Sequence, residues 1–179
     1  KATRPHATLL TARRNWAKNK MATAEQPYAA LDLSGVPSAQ GMRFALVVSE
    51  WNADITNALY SGAQSTLLAL GAKQEDVIRY NVPGAFELIY AGRTLLHQID
   101  FFDAIVVIGS IIEGETAHFD YVCQGVTQGI AQLNTLGKAP VIFCVLTDRN
   151  KQQSLDRAGG KYGNKGVEAA VAAVKMAHF

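Results

Sequence analysis

Two features of the sequence predict an α/β protein, a three-layer α/β/α sandwich built on a four-stranded parallel sheet. Short apolar runs recur along the chain, among them Ala104 to Ile108 and Val141 to Leu146. Between such runs lie segments whose apolar residues fall at helical spacing, as Ile55, Leu59, Ala63, Leu67 and Leu70 do. Strands that read as continuous apolar runs belong in sheets covered on both faces, and those sheets are parallel with right-handed helical crossovers. The 179 residues fit one domain. A domain of this length buries ~70% of the surface its unfolded chain exposes, so it holds a core without staples. No repeat of solenoid period is visible.

The elements follow in order. Residues 1–20 contain Lys1, Arg4, Arg13, Arg14, Lys18 and Lys20 and no acid, and show no helical or strand period. They read as a basic extension or leader, either an expression leader or a targeting peptide. An RNA-binding arm is a third reading, although charged tails are usually only solvated. Met21 opens Met-Ala-Thr-Ala-Glu in the manner of a natural start. Residues 21–40, with Pro27, Ser34, Gly35, Pro37 and Ser38, read as an extended N-terminal arm. The domain proper is 41–179. Met42 to Val48 is a strand interrupted only by Arg43, and the helix of Ile55 to Leu70 stops at Gly71. Val77 to Val82 is the second strand, and after Pro83-Gly84 a helix runs from Ala85 to His97. Asp103 to Ile108 is the third strand, followed by a loop and a helix from Phe119 to Leu136. Gly137 and Pro140 separate that helix from the fourth strand, Val141 to Leu146. Asn150 to Ala158 is a short helix, and Asn164 to Ala177 an alanine-rich one. Four βα units with an extra C-terminal helix give flavodoxin-like winding.

Composition excludes several roles. The formal charge of +2 arises in the tail: beyond residue 20 there are 11 basic against 15 acidic residues. The body therefore gives no reason to expect a nucleic-acid partner. Apolar content is 49%, ordinary for a soluble globular chain. No apolar run approaches the ~20 residues that cross a bilayer, so no membrane role is expected. Cys123 and Cys144 lie in apolar segments without metal-type spacing. They read as small core residues in a reducing cytoplasm.

Chemistry concentrates in Gly109-Ser110-Ile111-Ile112-Glu113-Gly114-Glu115-Thr116-Ala117-His118-Phe119-Asp120-Tyr121. A strand, a glycine-punctuated loop and a helix start stand here, where open α/β sheets bind ligands. Gly114, Glu115 and Thr116 can offer backbone N–H groups to an anion such as phosphate. His118 is a natural proton carrier at neutral pH, or else only a helix-start residue. In a parallel sheet the loops at Trp51, Gly84–Glu87 and Thr147 reach the same edge. An aromatic ring, a carboxylate, an anion-binding turn and an imidazole suit a flat heteroaromatic substrate with a polyol, plus a small phosphate. Alone, Trp51 reads equally as a core ring, Glu87 as a residue offsetting a helix dipole, and Arg157 as a solvated charge. His6, His97 and His178 read as surface residues. The glycine-rich stretch Gly159 to Gly166 follows a helix and lacks a Gly-Lys-Ser/Thr ending, which argues against a P-loop or dinucleotide site.

The Gly109 to Tyr121 stretch resembles the signature loop of the 6,7-dimethyl-8-ribityllumazine synthase family of riboflavin biosynthesis. Val48-Ser49-Glu50-Trp51-Asn52, Val82-Pro83-Gly84-Ala85-Phe86-Glu87 and Asp156-Arg157-Ala158-Gly159-Gly160-Lys161-Tyr162-Gly163-Asn164-Lys165-Gly166 resemble it in the same order. The resemblance runs from about Gly41 to Phe179. It implies a transferase that condenses 5-amino-6-(D-ribitylamino)uracil with 3,4-dihydroxy-2-butanone 4-phosphate, releasing phosphate and water, with no metal and no organic cofactor. By the same resemblance Trp51 stacks on the pyrimidine and Asn52 positions the ribityl chain. Gly84, Ala85 and Phe86 line the substrate, partly through backbone, and Glu87 binds ribityl hydroxyls. Ser110, Ile111 and Ile112 belong to the pyrimidine pocket, Glu115 and Thr116 give N–H groups to the phosphate, and His118 is catalytic, moving protons. Arg157 pairs with the phosphate through its planar fork. Lys165 contacts the pyrimidine carbonyl region, and Phe143 is an aromatic wall. The family draws Phe143, Arg157 and Lys165 from a neighbouring subunit, so the site exists only in a homo-oligomer.

Two departures stand out. Glu113 occupies a position where many members carry Arg, and Ile89 one where Pro is common. The short turn after Gly159 resembles that of members forming hollow icosahedral 60-mers from pentamers, so a capsid is expected. The arm before Gly41 is expected to add a strand to a neighbour. Competing readings are an archaeal-type riboflavin synthase, which uses two lumazines and no phosphate substrate, and a non-enzymatic cage or flavin-binding scaffold.

Overall fold

The computed structural model describes residues 32–98 and 102–179, so the basic extension and most of the arm lie outside the described residues. The elements are β1 (Phe44–Ser49), α1 (Ala53–Ala69), β2 (Val77–Val82), α2 (Glu87–Leu96), β3 (Ala104–Ile112), α3 (His118–Thr135), β4 (Val141–Asp148), α4 (Lys151–Arg157), β5 (Ala158–Gly160), β6 (Gly163–Asn164) and α5 (Lys165–Ala177). A single 3₁₀ turn, Gln74–Asp76, precedes β2.

The four main strands form one sheet in the order β2-β1-β3-β4, every pair parallel. This is the three-layer sandwich that the sequence predicts. All six residues of β1 and the first seven of β3 are buried, because these central strands are covered on both faces. The edge strand β2 instead alternates, with Arg79 and Asn81 exposed, so the expectation of unbroken apolar strands holds only at the centre. Alternate residues feed two cores. Phe44, Leu46, Val48, Val106 and Ile108 meet the buried faces of α1 and α5. Ala45, Val47, Ile105 and Val107 meet Leu88, Leu95, Val126, Ile130 and Leu133 of α2 and α3.

Glycine sets how closely the layers approach. A side chain on Gly166 would strike the carbonyl of Leu59, so α5 crosses α1 backbone to backbone. Asn164 fixes that crossing: its Oδ1 accepts from Gly166 N at 2.8 Å, while Nδ2 donates to the Ala58 carbonyl at 2.9 Å. On the other face, Ile89 fills the hollow over Gly129 and Phe86 the hollow over Gly125. The Ile89 N–H donates to the Phe86 carbonyl at 3.3 Å, a bond proline cannot make.

Four features differ from the sequence-based expectation, the first being that β4 runs through Thr147 to Asp148, which makes Thr147 strand and not loop. β3 runs four residues beyond Ile108, because its ladder with β4 continues through Ile112 opposite Asp148. Residues 109–112 are therefore strand, and the loop is confined to 113–117. The glycine-rich turn closes into the small antiparallel β5–β6 ladder, with Gly159 and Gly163 at positive φ. The end of the arm is packed, not extended: Ala39 is fully buried, and its N–H donates to the Leu70 carbonyl at 2.8 Å. The exposed His178 ring also contacts the Ser38 carbonyl there at 2.8 Å. Among the described residues no helix is long and apolar enough to cross a membrane.

Candidate active site

The strand order reverses between β1 and β3, and ligands of open α/β sheets bind at such a point, where successive loops turn to opposite faces. Asn52 bridges it, donating from Nδ2 to the Ser110 carbonyl at 3.0 Å. Its backbone is left-handed, φ 57°, the sole such non-glycine among the described residues. Asparagine enters that region more readily than most residues. The kink starts α1 at once and leaves Trp51 projecting, 73% exposed.

The turn after β2 supplies the second group. A Cβ placed on Gly84 would stand 2.9 Å from Glu87 Oε2 and 3.8 Å from Trp51 Cδ1. The carboxylate and the indole therefore converge over bare glycine backbone. Ala85 and Leu88 press against Gly109 of β3 from the α2 side. The Phe86 ring turns away over α3 and lines, with Tyr90 and Arg93, a groove of about 510 Å³ between α2 and α3.

The third group is the β3–α3 connection. Ile111 and Ile112 lie half-buried on opposite faces of the last β3 residues. Gly114, Glu115 and Thr116 are exposed, and so is His118 at the first position of α3. The His118 N–H reaches Thr116 Oγ1 at 3.4 Å. First-turn amides have no intrahelical acceptor, and the positive end of the helix dipole favours an anion there. The reversed charge at Glu113 has a counterpart: Arg149 Nε lies 3.9 Å from Glu113 Oε2. Both groups are exposed, so the pair balances charge locally and adds little stability.

Phe143, Arg157 and Lys165 are carried by β4, by the end of α4 and by the start of α5. Phe143 sits mid-strand in β4 opposite Val107, 41% exposed. Lys165 opens α5 with its ammonium 2.9 Å from both Glu168 carboxylate oxygens. Arg157 ends α4, donating from Nη1 to the Gln153 carbonyl at 2.8 Å, with its guanidinium 5.1 Å from the centre of the Tyr162 ring. These three flank β4, the sheet edge opposite β2.

Two residues near the site escaped the sequence reading. Asp148, which closes β4, and Ser154 of α4 are buried and hydrogen-bonded to one another at 2.8 Å. The only signal was an acid ending an apolar strand at the sheet's ligand-binding edge; nothing marks a serine within a seven-residue helix. Cys144 is the buried core thiol expected, with burial pushing its pKa up to about 12. Cys123 is only half-buried on α3, which corrects its reading as a core residue; burial raises its pKa too. No group of three or more metal-ligating side chains occurs among the described residues.

The fold is that of the flavodoxin-like α/β class, with its strand order reversing between β1 and β3. The family model for 6,7-dimethyl-8-ribityllumazine synthase matches residues 41–179. The protein of that name from Flavobacterium johnsoniae is 54% identical over 159 residues, covering 89% of this chain and 83% of its own. Its namesake from Christiangramia forsetii is 52% identical over the same share of this chain and 95% of its own. A third, from Bacteroides fragilis, is 53% identical over 138 residues, 77% of this chain and 96% of its own. The chain belongs to the 6,7-dimethyl-8-ribityllumazine synthase family.

Proposed function

We propose that this chain condenses 5-amino-6-(D-ribitylamino)uracil with 3,4-dihydroxy-2-butanone 4-phosphate to give 6,7-dimethyl-8-ribityllumazine, phosphate and water. The observation that carries the reading is the convergence of Trp51 and Glu87 over Gly84, at the same sheet edge as the exposed start of α3 headed by His118. Trp51 stacks on the pyrimidine, and Asn52 and Glu87 hold the ribityl chain. Ile111 and Ile112 wall the ring, and the backbone of Glu115 and Thr116 receives the phosphate. His118 moves protons during imine formation, phosphate loss and ring closure. Most of the acceleration comes from holding two substrates together in a reactive geometry.

Phe143, Arg157 and Lys165 complete the site of an adjoining copy. Their places on β4, α4 and α5, elements other than those that carry Trp51, Glu87 and His118, support this reading. The working form is a pentamer or a 60-mer of pentamers, with the compact Gly159–Gly163 turn favouring the larger particle. Residues 41–179 form the catalytic domain, preceded by the segment 21–40 and by the basic extension or leader 1–20. The setting is the cytoplasm, where both thiols stay reduced.

The test mixes purified protein with the two substrates, follows lumazine absorbance and released phosphate, and measures particle mass in the same sample. One phosphate released per lumazine formed supports the reaction. Riboflavin made from lumazine without phosphate release would replace it with the riboflavin synthase reading, and an inactive particle would leave a scaffold.

A further inference from the structure

A line of polar side chains runs through the apolar interior between β3 and α4. Ser110 Oγ lies 3.5 Å from Ser154 Oγ, and the Ser154 hydroxyl donates to Asp148 Oδ2 at 2.8 Å. Asp148 Oδ1 lies 3.8 Å from Arg157 Nη1. Ser154 is 0% exposed, Ser110 4% and Asp148 8%. Removing a carboxylate from water is costly unless charge and hydrogen bonds compensate, so a buried acid at this edge of the sheet calls for a reason.

The geometry of Arg157 supplies one. Its Nη1 is held by the Gln153 carbonyl and faces Asp148, and Tyr162 covers the guanidinium plane. A guanidinium carries five N–H donors in a rigid fork. Nε and Nη2 make no hydrogen bond among the described residues, and the side chain keeps 26% of its exposure. One corner of the fork is anchored and the other edge is presented, the arrangement that bidentate capture of a phosphate requires.

We infer that Asp148 and Ser154 are positioning residues, which aim the Nε–Nη2 edge of Arg157 at the phosphate of the four-carbon substrate. The inference rests on the proposed role of Arg157 as a phosphate ligand. The carboxylate also offsets part of the arginine charge, so its effect is orientation and not added attraction. Ser110 extends the line to β3, where its carbonyl already receives Asn52.

The test compares Asp148→Asn, Ser154→Ala, Arg157→Gln and the Asp148→Asn/Arg157→Gln double variant as assembled particles. Asp148→Asn keeps the shape and the acceptor for Ser154 but removes the charge that faces Nη1. It is expected to raise KM for the phosphate substrate about tenfold, the factor for losing one charge-assisted hydrogen bond between a misaimed Arg157 and the phosphate. KM for the pyrimidine substrate stays put, and inhibition by inorganic phosphate weakens in parallel. The double variant is no worse than Arg157→Gln alone, as expected of residues acting in series. Ser154→Ala shifts the same constants the same way by less, and stands in if Asp148→Asn fails to assemble. Should Arg157→Gln raise the phosphate KM while Asp148→Asn or Ser154→Ala lowers only melting temperature, or tightens phosphate, the inference is wrong. Should Arg157→Gln itself leave that KM unchanged, the phosphate role of Arg157 fails first.

Discussion

His118 stands exposed at the first position of α3, within reach of solvent and of any anion at that helix start. Replacing it with alanine is expected to slow lumazine formation toward the low end of the ~10²–10⁴-fold span of general acid–base catalysis, with particle mass unchanged. An unchanged rate would remove its proton-transfer role. Asn52 carries a different burden, a left-handed backbone plus a bridge between β1 and β3. Asn52→Gly relaxes the backbone demand and loses the bridge, whereas Asn52→Ala loses both. The alanine variant is therefore expected to be about 1–2 kcal/mol the less stable, measured by chemical denaturation. Cys144 provides a pH signature. Folded, its thiol keeps its proton to about 12, against 9.0 for an ordinary thiol. Between those values the native chain holds the extra proton, so stability falls as pH rises through that window. Cys144→Ala flattens that decline, read as melting temperature from about pH 9 to 11. The positions of Trp51, Glu87 and His118 were legible, because their motifs follow strands and place Trp51 in the turn after β1 and the other two at the starts of α2 and α3. The contact of Asp148 with Ser154 was not, since it is a hydrogen bond of 2.8 Å made only in the folded chain.

Secondary structure was legible where a period or a stop residue spoke. Gly71 and Gly137 end their helices with positive φ, as their positions in the sequence foretold. The end of β3 was hidden because Gly109 and Ser110 read as loop punctuation, although pairing with β4 holds them in the sheet. That pairing is tertiary, and no local pattern encodes it. The close α1–α5 crossing was hidden likewise, since Gly166 sits in what looks like an ordinary helix start. A methyl there meets the Leu59 carbonyl and not a movable side chain. Gly166→Ala is accordingly expected to cost at least the ~1–3 kcal/mol of overpacking, seen as a lower denaturation midpoint at constant slope. Alanine at Gly114, where an added Cβ meets nothing, serves as the control.

At the level of the whole molecule, the continuous apolar runs of β1 and β3 pointed to a parallel sheet covered on both faces, and the order of the motifs pointed to the family. The residues of the proposed site come from two stretches of the chain, one from β1 to the start of α3 and one from β4 to the start of α5. That partition has a genetic consequence. Under the proposed roles, a chain lacking His118 and a chain lacking Arg157 are each expected to be defective, while each carries the half that the other has lost. Co-expressed, the two null alleles should complement, with about a quarter of the interfaces in a randomly mixed ring pairing an intact histidine with an intact arginine. Recovered activity in mixed particles, absent when the two are purified apart and combined without reassembly, would make the interface itself the heritable unit of function.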